Sequence, residues 1–138
     1  MKNLFQNFGI ISQNILNLSP RETYKLCTEN NAILVDVREE GLVGMKMFDV
    51  PQVIYCPKSI LHDNFGKLDK TKPLIFADAA GLRSKESVIF LTENGFENIA
   101  NMAGGLVEWD RDNLPLHTDV NNRLSGSCMC QLKFREKK

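Results

Sequence analysis

The chain has no excess of either charge. Its 17 lysines and arginines are matched by 17 aspartates and glutamates, for a formal net charge of zero. No global field draws it to nucleic acid or to an anionic membrane, and such binding would need a local patch. Long apolar runs are missing as well. The opening stretch MKNLFQNFGIISQNILNLSP is broken by Asn3, Gln6, Asn7, Gln13 and Asn14. That makes a poor secretory core, and no run nears the ~20 residues a membrane-spanning helix requires. There is no internal repeat and no low-complexity linker. Histidine is scarce: no carboxylate, serine or cysteine partner is fixed by spacing to His62 or His117, so both read as surface or loop residues. The expectation is a cytoplasmic protein with no nucleic-acid or membrane partner and no metal or cofactor.

Four cysteines are present: Cys27 and Cys56 stand alone, while Cys128 and Cys130 form C-x-C near the end. An even count without secretory context does not establish disulfides, and reduced thiols are expected. The balance of 43% hydrophobic and 25% charged residues over 138 positions argues against disorder. It allows one domain with a real apolar core.

Helix and strand signals alternate. In LSPRETYKLCTENN, Ser19 suits the N-cap and Pro20 the first helical position, and Glu22 completes a capping box. AILVDVR follows, its Ile33, Leu34 and Val35 forming the continuous apolar run of a strand buried on both faces. VIYC (residues 53–56) and PLIFA (73–77) read as further strands, with a short helix and loop in KSILHDNFGKLD between them. RSKESVIFLTENGF reads as a helix with Gly95 at its end, ENIANM as a short strand, and GGLVEWDRDNLP as a last short helix. Such alternation predicts an α/β fold, a central parallel sheet of about five strands flanked by helices on both faces. Cys27 and Cys56 fall inside these elements and read as buried. Trp109 reads as packing.

The expected organisation is an N-terminal extension (1–18), the α/β domain (19–116) and a tail (117–138). In the tail CMCQLKF alternates, placing Cys128, Cys130, Leu132 and Phe134 on one face of an added edge strand. The basic end KFREKK reads as solvated.

Three motifs carry a resemblance: LVDVRE, GLRS opening a helix after an apolar strand, and NGFENIANMAGGLVEW with its Gly104-Gly105 pair and Trp109. In this order they resemble a rhodanese-like domain, the fold of persulfide sulfurtransferases, over residues 19–116. The family's active loop runs from a cysteine at a strand end to an arginine five positions later. Aligned on Gly81, Arg83 and Ser84, the loop here is Asp78, Ala79, Ala80, Gly81, Leu82, Arg83 and Ser84, and the resemblance puts Asp78 at the nucleophile position. A loop of small residues entering a helix converges main-chain N–H groups on one point, a field in which a thiol ionises easily. A carboxylate has no sulfur to extend and is already negative at neutral pH. Asp36 and Arg38 match the family's D-x-R and read as structural. The segment FDVPQVIYCP lacks the histidine and glycines of the family's usual G-H-I-P-G-A.

Other chemistry for Asp78 lacks support. Phosphoryl transfer through an aspartyl nucleophile needs metal-binding acids; Ala80 stands where a second acid belongs, and only Asp36 is obviously available. Arg83 could neutralise Asp78 in a charge-assisted contact or simply shape the turn. The expectation is a binding or regulatory module for a protein or small anion, not a thiosulfate sulfurtransferase. The alternative is sulfur transfer or thiol redox at Cys128 and Cys130. A third possibility, by analogy only, is one half of an assembly whose active loop lies on another protein.

Overall fold

The computed structural model describes residues 8–39, 46–117 and the backbone of 135–136. Its centre is a seven-stranded sheet. Five parallel strands form the body: β2 (Ile15–Leu18), β7 (Ile99–Met102), β6 (Leu74–Ala77), β3 (Ile33–Asp36) and β5 (Gln52–Tyr55), in that spatial order. An antiparallel strand closes each side, β1 (Ile10–Ser12) beside β2 and β9 (Arg135–Glu136) beside β5. A small separate pair joins β4 (Met47–Phe48) to β8 (Leu116–His117).

Among the described residues four α-helices cover the sheet: α1 (Pro20–Glu29), α2 (Lys58–Asn64), α3 (Leu82–Glu93) and α4 (Gly105–Arg111). A 3-10 turn, Phe65–Lys67, follows α2. Strands β3 and β6 are buried at every position, and alternation deals their side chains to opposite faces. Leu34, Ile75, Ala100 and Val53 join Leu26 of α1 and Trp109 of α4 in one core. Ile33, Val35, Phe76 and Ile54 join Leu61 of α2 and Val88 and Leu91 of α3 in the other. The fold expectation holds: helices lie on both faces of a mostly parallel sheet.

Local chemistry explains the ends of these elements. The Ser19 hydroxyl accepts from the Glu22 amide at 3.1 Å, and Glu22 returns the contact to the Ser19 amide at 2.9 Å. Asn94 caps α3 and Gly95 follows in the left-handed region, φ +92°. Trp109 is fully buried between Tyr24 and Phe48 in edge-on contacts, and its indole N–H donates to the Pro115 carbonyl at 2.7 Å. Residues before Ser19 do more than extend the domain. Gln13 and Asn14, at φ 56° and 65°, turn β1 onto β2 and add both to the sheet.

Among the described residues no helix is long and apolar enough to cross a membrane. Cys128 and Cys130, with the alternating stretch up to Phe134, lie outside the described residues; what is seen of the tail is the pairing of His117 with Met47 and of Arg135 and Glu136 with Val53 and Gln52.

Candidate functional site

Parallel sheets present their ligand sites at the carboxyl ends of the strands, and here β6 delivers Asp78 to that end. Gly81 then starts α3 from the left-handed region at φ +97°. A Cβ there would lie 2.9 Å from the Gly104 amide nitrogen, so the turn requires glycine twice over, for conformation and for space.

The carboxylate of Asp78 points back into this turn and is only 4% exposed. One oxygen, Oδ1, accepts from the Gly81 amide, and Oδ2 accepts from the Arg83 amide at 2.7 Å. The Ser84 hydroxyl lies 3.5 Å from Oδ1 but donates at 2.5 Å to Asn101 Oδ1. With one proton to give, it favours the shorter partner. Asn101 in turn donates through Nδ2 to Asn17 Oδ1 at 2.9 Å. Two amides at the mouth of α3, the ordinary seat of a bound anion, are thus taken by a carboxylate of the same loop.

The loop's carbonyls are also engaged. Leu106 and Val107, in the first turn of α4, donate their amides to the carbonyls of Asp78 and Ala79 at 2.8 and 3.1 Å. Such close approach depends on Gly105, at φ +60°, where a Cβ would sit 2.5 Å from the Asp78 carbonyl oxygen. Outside, Ala79 and Ala80 are exposed, with Leu82 69% and Val107 52% exposed beside them.

Of the two readings open for Arg83, the side-chain contact with Asp78 is not made among the described residues. The main-chain amide of Arg83 reaches the carboxylate, while its guanidinium lies 3.9 Å from Glu39. Glu39 also accepts from the Ser59 amide and hydroxyl at 3.2 and 2.9 Å, tying this rim to the start of α2. Helix geometry gives the reason: a residue in the first turn offers its N–H to the mouth and sends its side chain outward.

Asp36 and Arg38 form a buried pair behind the loop. Arg38 Nη2 meets Asp36 Oδ2 at 2.8 Å, Nε lies 3.0 Å from Oδ1, and the Arg38 amide donates to Oδ1 at 3.1 Å. The guanidinium also donates to the Lys46 carbonyl at 2.8 Å and lies over the Phe48 ring. Burial pushes the Asp36 carboxyl above its ordinary value, the Arg38 contacts pull against that, and the charge of Asp78 adds to the upward push. Cys27 and Cys56 are buried, and burial pushes each thiol up to about 12. His62 is exposed on α2 with its ring 4.0 Å from Phe90, and His117 lies in β8 opposite Met47. Among the described residues no three His, Cys, Asp or Glu side chains gather to hold a metal.

Comparison with known proteins places this geometry in a family. The profile of the rhodanese-like domain matches residues 19–112. The chain belongs to the rhodanese-like domain family. It is 30% identical over 91 residues to the putative sulfurtransferase YtwF of Bacillus subtilis, covering 66% of this chain and 85% of that protein. It is 25% identical over 112 residues to the thiosulfate sulfurtransferase GlpE of Actinobacillus pleuropneumoniae, covering 78% and 98%. Among solved structures it is similar to the polysulfide-sulfur transferase homodimer of Wolinella succinogenes, at 31% identity and a TM-score of 0.66 over 75% of this chain and 79% of that one.

Three parts of this rhodanese-like domain's loop region escaped sequence reasoning. Gly104 and Gly105 were visible as a motif, but their role in bringing α4 onto the loop carbonyls was not. Asn17 and Asn101 carry a weak signal, a single amide in each of two apolar strands. Glu39 follows D-x-R directly, yet nothing in the spacing points it at Ser59 and Arg83.

Proposed function

We propose that this rhodanese-like domain is a binding module that has given up persulfide chemistry at its loop. The observation that carries the reading is the buried carboxylate of Asp78, which accepts from the Gly81 and Arg83 amides. Asp78 occupies the position that the family resemblance assigns to the nucleophilic cysteine. A carboxylate cannot be extended by a sulfur atom, and its negative charge repels an incoming thiosulfate. With the cradle filled from within, a protein partner is favoured over a small anion. The rim formed by Leu82 and Val107 offers exposed apolar side chains of the kind found at the centre of interfaces. Its neighbouring charges are paired within the chain, Arg83 with Glu39 and Arg111 with Glu108.

The test is thiosulfate and cyanide with the wild type and with Asp78→Cys. In the variant a thiolate would attack the outer sulfur of thiosulfate and release sulfite; cyanide would then take the sulfur as thiocyanate and regenerate the thiolate. The wild type is expected to stay at the protein-free background. Asp78→Cys is expected to exceed it by about 100-fold, equal to about 2.7 kcal/mol of barrier. Thiocyanate formed by the wild type at a rate matching the variant would defeat the proposal.

A further inference from the structure

The two edges of the sheet are finished differently. Strand β9 pairs along the outer side of β5, whereas β1 ends the sheet with no further strand beside it among the described residues. Every residue of β1 is exposed, and Ile10 and Ile11 are each 74% so. Edge strands are commonly protected by lysine, proline or a bulge. Here the eleven residues 8–18 contain neither a charge nor a proline.

The edge is nevertheless held in shape. Gln13 and Asn14 form a two-residue turn with both φ values positive. The Gly9 amide donates to Glu22 Oε2 at 3.0 Å, and the Asn17 side chain reaches the Ile10 carbonyl at 3.4 Å. A two-residue turn closing on Ser12 and Ile15 makes that pair hydrogen-bonded. Alternation then leaves the amide and carbonyl of Ile11 facing outward.

We infer that β1 is a self-association edge, on which a second copy of this chain adds its own β1 antiparallel about a two-fold axis near Ile11. Successive side chains of a strand point to opposite faces. A flat apolar surface such as a bilayer could cover only one of Ile10 and Ile11, while a strand added in the plane of the sheet flanks both. Antiparallel pairing about a two-fold axis at Ile11 is self-complementary: it sets Ile11 against its counterpart and Ile10 against Ser12 of the second copy. Neither the edge, which is uncharged, nor the chain, whose formal net charge is zero, opposes the approach of an identical copy. A contact of three residues a side is small, which places the dissociation constant on the order of 100 µM.

Sedimentation equilibrium of the full chain from about 10 µM to about 1 mM spans that range. The expected result is a monomer–dimer equilibrium. Ile10→Lys with Ile11→Lys, its fold checked by circular dichroism, should weaken it by about tenfold or more, and Ile11→Glu alone should act in the same direction. Leu82→Lys, on the distant loop rim, should leave it unchanged. A monomer at every concentration would overturn the inference, as would a dimer that survives in the folded lysine variant. Loss of the dimer in Leu82→Lys, or association found only with phosphatidylcholine vesicles, would overturn it equally.

Discussion

Asp78 commits both carboxylate oxygens to main-chain amides, at Gly81 and Arg83. Hydrogen bonds to an ionised acceptor in a buried site are among the stronger ones a protein makes, so this side chain both fills the loop and fixes its form. Gly105 supports it from behind, because any Cβ there would strike the Asp78 carbonyl. The remaining described groups with nucleophilic potential are poorly placed. Cys27 and Cys56 are buried, with values near 12, so both are protonated thiols at neutral pH, and the thiolate is the reactive form. In a variant with Cys128→Ser and Cys130→Ser, Ellman's reagent at pH 8 is expected to find no accessible thiol until denaturant is added. Rapid labelling of the native variant would show that one of the two is reachable.

The elements differ in how legibly the sequence announced them. Helix α1 was plain from Ser19, Pro20 and Glu22, and its capping box is formed as read. The continuous apolar runs gave β3 and β6. The β1–β2 hairpin was not legible, since Gln13 and Asn14 are an uncommon pair for a tight turn and the asparagines broke the apolar pattern. Nor were β4 and β8, two residues each, because so short a pairing leaves no period to detect. Glu22 joins the legible and the illegible parts, bonding the Ser19 amide in the cap and the Gly9 amide before β1. Partial burial pushes its carboxyl up, but the hydrogen bonds from the Ser19 and Gly9 main chain and the Ser19 side chain outweigh that and leave it below its ordinary value. A depressed value in the folded state means stabilisation that is present above the unfolded value and lost as the pH falls through the folded one. Glu22→Ala is therefore expected to cost about 1 kcal/mol at pH 7, with the gap in melting temperature narrowing as the pH falls through the depressed folded value of the Glu22 carboxyl. A gap that stays constant with pH would assign the effect to packing.

At the scale of the whole molecule, helices on two faces of a parallel sheet bring the ends of β3, β6 and β7 together, so that Asp36, Asp78 and Asn101 form one polar region beneath two helix starts. Motif order made that architecture legible, because glycines and a D-x-R fall at fixed places along the chain. The filling of the loop was only half legible: the sequence named Asp78, while the direction of its carboxylate depends on tertiary contacts with α4 that no local pattern records. The account rests on a cradle occupied by the protein itself. Calorimetric titration of sulfate into the wild type and into Asp78→Ala measures that occupancy directly. The account predicts no binding to the wild type and binding in the range of about 1 mM to the variant, whose freed amides would have no other ionised acceptor. Equal binding to both proteins would contradict it.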